Sequence, residues 1–109
     1  MANLEKGDVK AAEDTLTQAA QSSNATREVF YNLGEVKFVK GEIEEASAWY
    51  QKAADADPSW GKPLYKLALV QLNKGDKSAT LKALERVIAA DPTSQEAAQA
   101  KTVIDQLKK

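Results

Sequence analysis

The 109-residue chain carries fifteen basic and sixteen acidic residues, no cysteine and no histidine, and 43% of it is hydrophobic. That length holds one small domain or a short array of repeats, and the near-neutral balance supplies no overall field toward nucleic acid or anionic lipid. Disulfides, thiolate nucleophiles, Cys-ligated zinc and imidazole chemistry are excluded, and no apolar stretch approaches a membrane span.

Gly7, Gly41 and Gly75 stand 34 residues apart, and Asp57-Pro58 recurs at that interval as Asp91-Pro92. Ala46 likewise becomes Thr80, Tyr50 becomes Leu84 and Ala53 becomes Val87, so the elements are copies of one repeating unit. In the first element, Ala11, Ala12, Leu16, Ala19 and Ala20 form the inward face of a helix. Gly7 precedes it in the interhelix position, and Asn24 stands where later copies have proline. On that register residue 1 falls inside another helix, and the chain reads as a segment of a longer array.

From Arg27 to Lys40 the residues Phe30, Leu33, Gly34 and Phe38 follow a three-and-four spacing that predicts a helix with one buried face. Gly41 is placed to end it in a left-handed cap, and Glu42 puts negative charge at the start of the next helix. That helix turns Ile43, Ala46, Tyr50, Ala53 and Ala54 inward. The small residues Gly34, Ala46 and Ala53 let the two axes approach, and Tyr50 fills the space beside them. Asp57-Pro58 stops the helix, because proline lacks a donor and disfavours helical geometry in the residue before it. Gly61–Lys74 and Lys77–Ala90 repeat the plan around Gly75, with Pro63 in a first turn where a missing donor costs little. Thr93 with Glu96 then reads as a capping box. It opens a last helix with Ala97, Ala100, Val103, Ile104 and Leu107 inward and Lys101, Asp105, Lys108 and Lys109 outward.

The run Phe30-Tyr31-Asn32-Leu33-Gly34, followed by Gly41, Ala46, Tyr50, Ala53 and Pro58, resembles the tetratricopeptide (TPR) repeat. Leu64-Tyr65-Lys66-Leu67-Ala68, with Gly75, Leu84 and Pro92, resembles a looser second copy. It departs from the pattern with Thr80 at the small-alanine position and Lys77 where an aromatic is usual. The resemblance implies an all-α fold, a right-handed α-solenoid of antiparallel helix pairs closed by a C-terminal capping helix. Its divisions are a partial repeat over 1–26, whole repeats over 27–60 and 61–94, and the cap over 95–109.

What the resemblance implies functionally is a protein-interaction adaptor or scaffold whose first helices line a concave groove for a peptide or a helix. Groove positions carry over to Glu28, Tyr31, Asn32, Glu35 and Phe38, then to Lys62, Tyr65, Lys66, Leu69, Leu72 and Asn73. Phe38 and Leu72 read equally as packing residues. Three positions, Asn32, Lys62 and Lys66, match the clamp by which TPR co-chaperones hold a C-terminal carboxylate, so a partner with an acidic C-terminal tail is one expectation. The other two clamp positions fall at Met1 and before the chain begins, and a solvated lysine face is the competing account.

The alternative function is self-association, as a homodimer or helix-swapped oligomer, through an uncovered face around Leu16, with Trp49 a further contact. No enzyme is expected. The carboxylates Glu13-Asp14, Glu42/Glu44/Glu45 and Asp55/Asp57 suit helix dipoles and solubility, and no phosphate loop or calcium loop is present. No cofactor, metal, nucleic acid or membrane partner is expected. The cysteine-free composition suits cytoplasm and periplasm alike.

Overall fold

The computed structural model describes residues 6–22 and 25–109. Its helices are α1 (Lys6–Gln21), α2 (Arg27–Val39), α3 (Ile43–Ala56), α4 (Gly61–Asn73), α5 (Lys77–Ala90) and α6 (Gln95–Leu107). The described residues form no strand, and the fold is the expected all-α one. The chain divides into two compact units between Ala56 and Asp57. Met1 and Asn24, used above to register the first repeat, lie outside the described residues.

In the first unit α2 packs against α3 and α1 against α2. Leu33, Gly34 and Val36 of α2 are buried with Ala46, Tyr50, Ala53 and Ala54 of α3. Each large aliphatic side chain so covered contributes about 1.5–3 kcal/mol. Phe30 and Phe38, expected inside, are only half-buried, and Val36 takes the interior place instead. Phe30 stacks on Trp49 with ring centroids 6.1 Å apart.

The turn between α2 and α3 follows from Gly41, whose φ of 81° is left-handed. Its N–H donates to the Phe38 carbonyl at 3.0 Å and that of Glu42 to the Lys37 carbonyl at 2.9 Å. Two otherwise orphaned helix-end acceptors are thereby satisfied. Gly75, with φ 80°, ends α4 by the same pair of bonds, to Leu72 and Gln71.

Three local expectations change. Gly7 lies within the first turn of α1 rather than in a turn before it, where a backbone N–H has no intrahelical partner to lose. Ala11 is exposed, and the inward residue of that turn is Val9, with Ala12 about one turn and Leu16 about two turns further on. The cap of α6 is Ser94, not Thr93. Ser94 Oγ accepts from the Ala97 N–H at 3.0 Å and donates to the Asp91 carbonyl at 2.7 Å, leaving Glu96 to act on the helix dipole.

The second unit packs α4 on α5 and α6 on both. Leu64, Leu67, Ala68, Val70, Leu84, Val87, Ala97 and Ala100 form its core. Thr80, at the small-alanine position, is buried at no polar cost because its hydroxyl donates to the Asp76 carbonyl at 2.7 Å.

Candidate functional site

On α2 the residues Glu28, Tyr31, Asn32, Glu35 and Phe38 recur at the spacing that gathers them on one helix face. Glu28 and Asn32 are exposed, whereas Tyr31, Glu35 and Phe38 are half-buried. Arg27 Nε donates to the Glu28 carboxylate at 2.8 Å and holds its pKa below the usual carboxylate range.

Beneath this strip lies Tyr50 of α3, which has no exposed surface. Its hydroxyl donates to Glu35 Oε1 at 2.5 Å, and its ring centre lies 5.7 Å from that of Tyr31 at an interplanar angle of 51°. Burial, and then the bond to Glu35, push the phenol pKa up, so Tyr50 remains a donor at every ordinary pH. Gly34 makes room for the ring: a Cβ at that position would meet Tyr50 Cδ1 and Cε1 at 2.6 Å.

In the second unit α4 presents Lys62, Tyr65, Lys66, Leu69, Leu72 and Asn73 at the equivalent positions. Lys62 and Asn73 are exposed, Tyr65, Lys66 and Leu69 are half-buried, and Leu72 is 41% exposed. Here Leu69 replaces Glu35, Ala68 replaces Gly34 and Leu84 replaces Tyr50, so the strip is apolar and cationic with no braced carboxylate. The two first helices therefore offer chemically different surfaces.

Asp91 sets where α4 begins. Trp60, the residue before the helix, provides no side-chain cap, and the Gly61 N–H instead donates to Asp91 Oδ2 at 3.1 Å. Asp91→Ala should therefore cost about 1 kcal/mol, the value of a lost N-terminal cap, read as a lower midpoint in urea denaturation.

Elsewhere in the first unit α1 is tied down by charge. Glu13 accepts from Lys37 through Oε2 and from Lys40 through Oε1, the latter at 2.7 Å. Lys37 also lies 3.0 Å from Glu45 and 3.4 Å from Glu42. The Lys37 and then the Lys40 ammonium hold the Glu13 carboxyl down to about 2, and the Glu13 carboxylate raises both lysines. A shallow cleft beside them is lined by Glu13, Asp14, Thr17, Gln18 and Lys37. Among the described residues no group of acidic side chains is arranged to hold a metal ion, and no helix is long and apolar enough to cross a membrane.

Two features of these surfaces escape sequence reading. Val39, at 57% exposure the most open large hydrophobic described, continues a run that looks like core. The Tyr50–Glu35 bond joins two helices, and only the proximity of the small Gly34 hints at it.

The tetratricopeptide repeat family profile matches residues 1–59. Human tetratricopeptide repeat protein 7A is 29% identical over 96 residues, which is 88% of this chain and 11% of that protein. The chain thus spans about a tenth of that relative's length. The second TPR domain of human RPAP3, solved in complex with the HSP70 peptide SGPTIEEVD, superimposes with a TM-score of 0.77 at 19% identity, over 95% of this chain and 84% of that one. The crystal structure of MamA gives 0.73 at 24% identity, over 93% of this chain and 63% of that one. At these identities the two structures are alike in fold.

Proposed function

Because the chain belongs to the tetratricopeptide repeat family, we propose that it is a protein-interaction module that takes a peptide or an amphipathic helix on the first-helix strips of its repeats and performs no chemistry of its own. The observation that carries this is the strip on α4. Leu72 is one of two exposed large hydrophobics among the described residues, and it shares its helix with half-buried Tyr65 and Leu69 and with Lys62 and Lys66. An apolar ridge with polar handles supports the reading of this face as a binding surface.

Lys62 and Lys66 are one turn apart, a separation that lets two ammonium groups hold one carboxylate by charge-assisted bonds. The peptide bound by the RPAP3 domain ends in the sequence EEVD, with an acidic last residue, and we extend that ligand class to this chain. Titration of SGPTIEEVD against the full chain at low salt tests it. Lys62→Ala should weaken binding about tenfold, near 1.4 kcal/mol, and Lys66→Ala should weaken it as well. Affinity that Lys62→Ala leaves unchanged would sink the acidic-tail assignment.

Self-association through α1 is the competing account. Val9 is buried and Ala12, Leu16, Ala19 and Ala20 are half-buried, while neither exposed large hydrophobic among the described residues lies on α1. That leaves little for a second copy to cover. Strictly monomeric light scattering across a concentration series would remove it.

A further inference from the structure

The α2 strip differs from its copy on α4 in a way that the repeat pattern does not require. Its charged members are Glu28 and Glu35, with no lysine or arginine among the strip positions, whereas α4 carries Lys62 and Lys66 and no acid. Glu35 is held from below. Tyr50 is completely buried, its ring is seated in the space that Gly34 leaves, and its hydroxyl reaches Glu35 Oε1 at 2.5 Å. The same ring lies 5.7 Å from Tyr31, so one buried side chain touches both half-buried groups that stand one helical turn apart on the strip.

We propose that Glu35 is a specificity-determining residue that selects a partner with a lysine or arginine side chain, and that Tyr50 is the positioning residue that fixes Glu35 for this task. The proposal rests on the peptide-binding reading above and deepens it: the α2 strip reads a cation, and the α4 strip reads apolar and acidic groups. A carboxylate only accepts and has about four lone-pair sites, and the Tyr50 bond takes up one of them and orients the group. Bonds from an ammonium or guanidinium to a carboxylate are roughly twice as strong as neutral ones. Fixing the carboxylate beforehand removes part of the ordering cost that a free glutamate side chain would meet on binding. The aromatic face of Tyr31 beside it suits the aliphatic stem and cationic head of the same partner residue. In the second repeat Leu69 and Leu84 remove acceptor and brace together, which confines this selectivity to α2.

The test is capture of a randomised nine-residue peptide library with free C termini on the immobilised full chain, the bound fraction being read by mass spectrometry. Wild-type chain should enrich lysine or arginine about fivefold over input at one position, the scale of a single charge-assisted hydrogen bond at a partly exposed site. Glu35→Gln should abolish that enrichment and keep the apolar preference. Tyr50→Phe, checked for an intact thermal transition, should lower the cation enrichment while leaving the apolar preference within about twofold, a split that a merely structural role would not produce. Leu72→Ala should do the reverse. Peptides captured without basic enrichment, or enrichment that survives Glu35→Gln, overturn the inference and leave the interaction-module reading standing. Loss of both preferences together in a folded Tyr50→Phe chain overturns the positioning role. A wild-type chain that captures no peptide sinks the functional reading and this inference with it.

Discussion

Gly34→Ala is expected to destabilise the chain by about 2 kcal/mol, although alanine in a helix interior is ordinarily favoured over glycine by about 1 kcal/mol. Position 34 lies in the middle of α2 and is buried, and an alanine Cβ there would meet Tyr50 Cδ1 and Cε1 at 2.6 Å and Cγ at 3.0 Å. Carbon atoms are not tolerated at such separations, so the ring or the helix must move. The ring cannot swing into solvent, because Tyr50 has no exposed surface and its hydroxyl is committed to Glu35. Overpacking of this kind costs about 1–3 kcal/mol and accompanying loss of a buried hydrogen bond about 1 more, against which the propensity gain is the smaller term. The second repeat supplies its own control, since Ala68 and Leu84 occupy the same two positions and both are fully buried. Gly34→Ala combined with Tyr50→Leu should therefore be more stable than Gly34→Ala alone, by about 1 kcal/mol or more. Urea denaturation of the wild type, both single variants and the double variant measures the coupling. Strict additivity would refute the steric account.

The same pair of positions shows what the sequence could and could not carry. The ends of α2, α3 and α4 were legible because they rest on local chemistry. Gly41 and Gly75 adopt the left-handed conformation, and α3 ends just before Asp57-Pro58. The inward faces were largely legible because the 34-residue period aligns Ala46, Tyr50 and Ala53 with their copies. Two kinds of information were not local. One is rotation about a helix axis by part of a turn, which buries Val36 and leaves Phe30 and Phe38 half-open; two phenylalanines outweigh one valine in any periodicity argument. The other is the partner of a polar group on another helix. Glu35 was placed on the proposed binding strip by its register, but its tie to Tyr50 depends on how α3 packs against α2. Glu13 was read as a solvated carboxylate, and the helix that carries Lys37 and Lys40 turned it into the anchor of α1.

That anchor leads to the second large effect, a loss of about 2 kcal/mol as the pH falls from 4.5 to 2, which Glu13→Gln should already show at neutral pH. The Glu13 pKa is lowered from 4.5 to about 2, first by the bond from Lys37 and then by that from Lys40. A carboxyl whose folded pKa lies below its unfolded one binds protons more readily when unfolded. Its stabilisation is therefore complete above pH 4.5 and disappears as the pH falls through about 2. The full shift would convert to roughly 3.4 kcal/mol at 1.36 kcal/mol per pKa unit. Residual access to water, with the Glu13 and Lys37 side chains 15% and 16% exposed, reduces it. Glu42 and Glu45 also pair with Lys37, so removing Glu13 leaves Lys37 partly neutralised rather than stranded. Among the described residues Lys40 retains Glu42, at 3.6 Å. The other carboxylates of the chain also titrate in acid, so the quantity to measure is the difference between the wild-type and Glu13→Gln stability curves. That difference should be flat from pH 5 to 8, close toward zero near pH 2, and shrink in molar salt as screening weakens the pairs. Curves that run parallel down to pH 2 would show that Glu13 contributes through packing and not through its charge.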